Sequence, residues 1–325
     1  MYSHVMEDWF SWTNKAAHAA TATSPFHAPP LSPQAHGFLS GRLQANGKAI
    51  GYRLFVPVDR GDEPRALVVM LHGCGQNATD FALGTGMNEL AEEAGFLVLY
   101  PEQSRFANWN ACWNWFEAAN QERGQGEPAL VADLTRQIID DYAVDRRRVA
   151  IAGLSAGAAM ALIVGRSYPD IFSAIGCHSG VPHGSATSGI GAMTTMRHGG
   201  AVPACAGAPC PTSVPVIVFH GDDDATVHRS NGDDIVRQSI QSYLSARPSG
   251  CRNVMNVKET GQERGRDFTR SVHTGDSGTV VAEHWLVHGT GHAWSGGDQR
   301  AANTDANGPD ASREMLRFFG EGHAL

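Results

Sequence analysis

Apolar positions in this chain fall mostly in short unbroken runs, and from about residue 48 these runs take turns with helical patterns. The runs at 49–56, 66–71, 96–100, 149–153, 172–177, 216–220 and 280–287 predict strands, and the stretches 87–94, 128–142, 157–168, 232–244 and 310–319 predict helices. A run such as Ala66-Leu67-Val68-Val69-Met70-Leu71 has no polar face to turn toward water. It predicts a strand covered on both sides, as in a parallel sheet between two helical layers. The expected fold class is α/β, with a mostly parallel, doubly wound sheet in a single domain. No repeat or second core interrupts the alternation, so that domain is expected to run from 46 to 325. Residues 1–45 mix Ala, Ser, Thr, Pro and His without sustained periodicity and read as a mobile N-terminal lead-in.

Two stretches break the pattern. Residues 178–214 are rich in Gly, Ala, Ser, Thr and Pro and predict a long excursion of the kind that builds a pocket wall. Residues 101–128 concentrate Trp109, Trp113 and Trp115 with Asn108, Asn110 and Asn114. These side chains could meet a ligand by stacking and hydrogen bonding, or the tryptophans could pack the loop onto the sheet.

Composition narrows the class. A chain of 325 residues with 42% hydrophobic and 18% charged residues, 37 Gly and 16 Pro fits a loop-rich globular enzyme, not a disordered, fibrous or coiled-coil chain. The net charge of −8 gives no general attraction for phosphate backbones or anionic lipid, so neither nucleic acid nor a membrane is an expected partner. No apolar run of about 18 residues predicts a membrane span. Residues 1–26 lack an apolar signal core and carry Glu7 and Asp8 early. They do not read as a secretory signal, which favours the cytoplasm over an extracellular location. Six cysteines, Cys74, Cys112, Cys177, Cys205, Cys210 and Cys251, show no paired zinc spacing. Cys205 and Cys210 could pair locally or remain free.

The chemistry concentrates at Gly153-Leu154-Ser155-Ala156-Gly157, where an apolar strand runs directly into G-x-S-x-G and then into an Ala-rich helix. The pentapeptide alone is weak, but strand-turn-helix is the context in which a serine is held exposed on a tight, strained turn. A serine hydroxyl needs a base, an acid to orient that base, and donors for the oxyanion. Downstream, strand 216–220 ends in Gly221-Asp222-Asp223-Asp224, and strand 280–287 leads into His288-Gly289-Thr290-Gly291-His292. Asp224 is favoured as the acid over Asp222 and Asp223, which follow the turn glycine so closely that capping or solvent suits them better. His292 is favoured as the base over His284 and His288, because it sits in a Gly-rich loop able to reach the serine. The oxyanion donors are expected to be the amides of Ala156 and Cys74, the latter in Leu71-His72-Gly73-Cys74-Gly75-Gln76. A metal cluster at His220, Asp222, Asp223, Asp224 and His228 is the less economical reading of the same turn, and no metal or cofactor is expected.

Six blocks then occur in order: Leu71 to Gln76, Cys112-Trp113-Asn114-Trp115-Phe116, Gly153 to Met160, His178-Ser179-Gly180-Val181-Pro182, His220 to Asp224, and Gly291-His292-Ala293-Trp294-Ser295-Gly296-Gly297. Together they resemble the poly(3-hydroxybutyrate) depolymerase family of esterases over residues 51–319. The resemblance implies an α/β-hydrolase fold and a Ser155–His292–Asp224 serine esterase acting on polyester, oligomer or short-chain ester. It also implies that Cys112 lies beside the site, with a disulfide to Cys74 as a hypothesis. Trp113, Trp115, His183 and Trp294 are the expected substrate contacts. His183 departs from the aromatic residue expected after Val181-Pro182. Many members carry a separate polymer-binding domain, and this chain ends at Leu325, so oligomers and short-chain esters are expected over crystalline polymer. A feruloyl or acetylxylan esterase is the nearest rival, and a non-catalytic binder that keeps the shell is the remaining one.

Overall fold

Each of the seven apolar runs carries a strand in a computed structural model that describes residues 36–45, 47–58, 63–200, 213–246, 253–276 and 278–322. The strands are β1 Gly37–Ala45, β2 Lys48–Val56, β3 Arg65–Leu71, β4 Leu97–Glu102, β5 Val144–Leu154, β6 Ala174–His178, β7 Val216–Gly221, β8 Val254–Glu263, β9 Arg266–Gly275 and β10 Val280–Val287. They form one sheet in the order β1-β2-β4-β3-β5-β6-β7-β10-β9-β8. The six central strands, β4 to β10 in that order, are parallel, and antiparallel pairs finish both sides. A small parallel pair, β11 Trp294–Ser295 and β12 Thr304–Asp305, follows β10.

The helices are α1 Ala78–Thr85, α2 Met87–Ala94, α3 Gly126–Asp141, α4 Ala156–Ser167, α5 Gly189–His198, α6 Ser230–Ser245 and α7 Ala311–Gly322. Residues 66 to 71 of β3 are at most 2% exposed. Alternate positions Ala66, Val68 and Met70 share one core with Phe81 and Met87 from α1 and α2 and Met315 and Phe319 from α7. Helix α4 packs across β5, β6 and β3, with α3 against it. Helices thus sandwich the sheet, as the unbroken apolar runs require.

The structure moves one expected boundary. Within the supposed lead-in, residues 37–45 form β1 and pair with β2 along their whole length, so the sheet begins before residue 46. Residues 1–35 lie outside the described ones. Also unforeseen are β8, β9, α1 and α5. β8 is almost wholly exposed, Met255 and Val257 included, so no burial pattern announces it. It is held instead by its ladder with β9 across Arg264 and Gly265, both at positive φ (44° and 81°), the geometry of a two-residue hairpin turn. Helix α1 has eight residues, too few for a periodic stripe. Its ends are set by Asn77, whose side chain accepts from the Asp80 amide, and by Gly86 at φ 61°. Cys205, Cys210 and Cys251 lie outside the described residues. Among the described ones, no helix is long and apolar enough to cross a membrane.

Parallel strands deliver their carboxyl-end loops to one edge, and the register aligns those ends: Leu71 with Gly153, Leu154 with His178, His178 with Phe219, and Gly221 with Val287. On the β10 side the layers are locked by Glu283, which is wholly buried. It accepts from Arg270 Nε at 2.9 Å and Nη2 at 3.0 Å, from Trp285 Nε1 at 2.6 Å and from the Arg317 guanidinium of α7. Glu283→Leu should leave Arg270 and Arg317 with only their outer partners Glu259 and Glu314 and lower the unfolding free energy by about 3 kcal/mol. Urea unfolding should show a lower midpoint at constant m-value, and an unmoved midpoint would mean the cluster contributes no net stability.

Candidate active site

Ser155 occupies the sharp turn between β5 and α4 at φ 57°, ψ −120°, a conformation that non-glycine residues adopt only under constraint. The constraint is visible on both sides. Its amide donates to the carbonyl of His178 on β6 at 2.9 Å. A Cβ at Gly153 would lie 2.5 Å from the Gly157 backbone and 2.7 Å from the Leu71 carbonyl oxygen, and one at Gly157 would run into the carbonyls of Leu71 and His72. Both glycines of the pentapeptide are therefore dictated by backbone crossing backbone. The same crossing lays the loop after β3 along the first turn of α4.

That loop is built to present one amide. Gly73 N–H donates to Gln76 Oε1 at 2.9 Å, Gly75 N–H to Asn110 O at 2.7 Å and Gln76 N–H to Gly73 O at 3.3 Å. The Cys74 amide between them has no hydrogen bond among the described residues. Ala156 is the first residue of α4, so its amide has no acceptor one turn back. Cys74 is bonded to Cys112 with Cα atoms 4.2 Å apart, the pairing that the family resemblance suggested. Glu127, half-buried, accepts from Gln103 Nε2 at 2.6 Å and from Asn114 N and Nδ2 at 2.8 and 2.7 Å, which secures the Cys112 segment. Burial pushes its carboxyl up, while these donors pull it down without overcoming that push.

At the end of β7, Asp224 Oδ2 accepts from His292 Nδ1 at 2.7 Å, and Oδ1 accepts from the amides of Thr226 and Val227 at 2.9 and 2.8 Å. Its side chain is fully buried. Burial alone would raise the carboxyl, but the His292 ring, the Val227 amide and His220 outweigh it and hold it below the usual carboxylate range. His220 Nε2 donates to Val227 O at 2.8 Å and supports this turn from within. With Nδ1 held by Asp224, His292 Nε2 makes no hydrogen bond among the described residues. The Ser155 hydroxyl makes no hydrogen bond among the described residues.

The alternative acid and base pair with each other. His288 Nδ1 donates to Asp222 Oδ2 at 2.7 Å, Gly289 N–H donates to Asp222 Oδ1 at 2.7 Å, and Thr269 Oγ1 lies 3.0 Å from His288 Nε2. This second pair fastens the base loop to the β7 turn, assisted by the Asp223 amide on Thr290 O at 3.2 Å. His284 lies buried within β10, where burial pushes its imidazole down to about 3.

The four side chains expected to contact substrate are placed as framework. Trp113 and Trp294 are 1% exposed, their indole N–H groups donating to His72 O at 3.1 Å and Ser312 Oγ at 3.1 Å, and Trp115 is also buried. His183 donates from Nε2 to Gln121 O at 2.9 Å, and burial pushes its imidazole down to about 4. Large rings beside a strand edge gain more from burial than from solvent, so the reading of loop tryptophans as packing fits Trp113 and Trp115. Of the loop 101–128, Trp109 is half-exposed and Phe106 fully so. Among the described residues no group of three or more His, Cys, Asp or Glu could hold a metal ion. The reading of the motifs assigned no role to Gln103, Glu127 or His178. Only a histidine ending an apolar strand could have flagged the last.

Comparison with known proteins matches residues 50–263 to the family model described as Esterase PHB depolymerase. Poly(3-hydroxyalkanoate) depolymerase C of Paucimonas lemoignei is 32% identical over 238 residues, covering 70% of this chain and 54% of that protein. Feruloyl esterase B of Neurospora crassa is 32% identical over 130 residues, 40% of this chain and 43% of that protein. The chain thus spans about half the length of these curated relatives. Among solved structures, an acetyl xylan esterase from Aspergillus awamori superposes with TM-score 0.61 at 18% identity, covering 83% of this chain and 94% of that one, a likeness of fold.

The Cys74–Cys112 bond closes a loop of 38 residues. Replacing both cysteines by serine should remove about 4 kcal/mol by the chain-entropy relation. Guanidinium unfolding checks this, and a midpoint equal to wild type would show that the surrounding hydrogen bonds suffice.

Proposed function

The chain belongs to the esterase PHB depolymerase family, and from that premise we propose that it is a serine esterase cleaving ester bonds of short-chain 3-hydroxyalkanoate polymers or oligomers and other short-chain esters. Ser155 Oγ attacks the ester carbonyl while His292 Nε2 takes its proton, and the developing oxyanion lies against the Cys74 and Ala156 amides. The imidazolium returns that proton to the departing alcohol, leaving an acyl group on Ser155. Water, deprotonated by the same nitrogen, releases the acid and restores the serine. Asp224 holds the proton on Nδ1 of His292 and balances the imidazolium charge. These steps use side chains, backbone amides and water alone.

The observation that carries the reading is the 2.7 Å Asp224–His292 bond, on the strand-end edge that also presents Ser155 on its constrained turn. A feruloyl or acetylated-sugar substrate would use the same groups. The hydroxyalkanoate reading is preferred because the depolymerase relative matches over 238 residues and the feruloyl esterase over 130.

With a defined 3-hydroxybutyrate oligomer, wild type should release monomer and short products, and Ser155→Ala should lower kcat by roughly 10³-fold or more. Higher kcat/KM on feruloylated or acetylated sugars would transfer the assignment to those substrates. A depressed carboxyl pKa stabilises the fold above the unfolded value of 3.8 and loses that contribution as pH falls through the folded value. The stability gap between wild type and Asp224→Asn should therefore hold steady near neutral pH and narrow as pH falls below about 4. A gap that widens on acidification would contradict the charge state assigned to Asp224.

A further inference from the structure

Four contacts converge on one buried residue that the mechanism above does not use. His178 ends β6 and is 1% exposed. Its carbonyl accepts the Ser155 amide at 2.9 Å, its Nε2 accepts the Ser295 amide at 3.0 Å, and its Nδ1 lies 3.2 Å from Ser179 Oγ. Its ring is stacked between Trp294 and Phe219, with centroids 5.1 and 5.8 Å away and interplanar angles of 25° and 16°. The backbone of His178 thus holds the nucleophile turn, and its side chain holds the loop that carries His292 three residues before Ser295.

We infer that His178 is a positioning residue for the reaction, a clamp that sets the distance between Ser155 and His292 by fastening both to the same strand end. This rests on the esterase reading above. Three facts support a dedicated clamp over ordinary core packing. A backbone N–H can only donate, so Ser295 requires Nε2 to be an acceptor and places the ring proton on Nδ1, toward Ser179 Oγ. Burial, with the neighbouring His220 and His292 acting in the same direction, pushes the imidazole down to about 3, so that tautomer persists without a charge. Ser179 is itself held at φ 52°, wholly buried, with its amide donating to Phe219 O at 2.9 Å, so the hydroxyl is fixed where Nδ1 needs it. An apolar ring would fill the same space and leave the Ser295 amide buried without a partner.

The test uses the full chain, with p-nitrophenyl butyrate turnover, labelling of the serine by a fluorophosphonate, and thermal melts. His178→Leu should lower kcat per labelled site by about 30-fold and slow labelling in proportion, with KM within about threefold of wild type. His178→Gln, whose amide oxygen can accept the Ser295 N–H, should recover about tenfold of that loss. Equal kcat per labelled site in Leu, Gln and wild-type proteins, or equal deficits in Leu and Gln, would reduce His178 to a packing residue. Should the Leu variant not fold, Ser179→Ala decides. A labelling rate about fivefold slower at near-native melting temperature supports the clamp, and an unchanged rate overturns it. Turnover undiminished in Ser155→Ala would instead sink the esterase reading, a distinct failure.

Discussion

A carboxylate shut away from water stays charged only when its oxygens are occupied, and Asp224 satisfies that condition with two backbone amides on one oxygen and an imidazole on the other. Everything around it serves this arrangement. The turn after β7 supplies the amides, His220 fixes the turn, and the loop after β10 brings the imidazole. With Oδ1 used by the turn, Oδ2 is the oxygen left to accept from His292, and that bond orients the imidazole. The proton on Nδ1 is thereby placed by a group that cannot itself move toward solvent.

The sheet makes such an arrangement possible at a distance. Parallel strands in register end along one line, so residues 155, 178, 224 and 292 become neighbours of one edge although 137 positions separate the first from the last. Steric exclusion sharpens it, since the Leu71 and His72 carbonyls pass where side chains at 153 and 157 would be. The disulfide and the Glu127 network then hold the loop after β3 against that crossing. The two Asp–His pairs divide the labour. The half-exposed Asp222–His288 pair ties one loop to the next, and the buried Asp224–His292 pair is the one whose second ring nitrogen has no hydrogen-bond partner among the described residues.

Much of this was legible from short-range pattern. Unbroken apolar runs marked strands covered on both faces, and glycines flanking a serine at a strand-helix junction marked a turn that tolerates no Cβ on either side. Elements without such a signature escaped. β8 is exposed along nearly its whole length and exists because β9 offers it a ladder, and β1 lies in a stretch whose composition resembles a connector. The tryptophans of the 101–128 loop could have served a ligand or the core. Trp113 donates its indole N–H to His72 O and is buried with Trp115, whereas Trp109 stays half-exposed.

The amino-acid sequence by itself determined the α/β layering, the constrained serine turn and the chain order of the aspartate-rich and histidine-bearing strand ends, because each depends on neighbours within a few residues or on strand-end position. The tertiary structure alone decided which aspartate faces which histidine, that Cys74 meets Cys112, and that His178 joins the serine turn to the base loop. Those are contacts between segments tens to more than a hundred residues apart. Their geometry is set by strand register and by the filling of hydrogen-bond valences in a closed interior, neither of which local composition encodes.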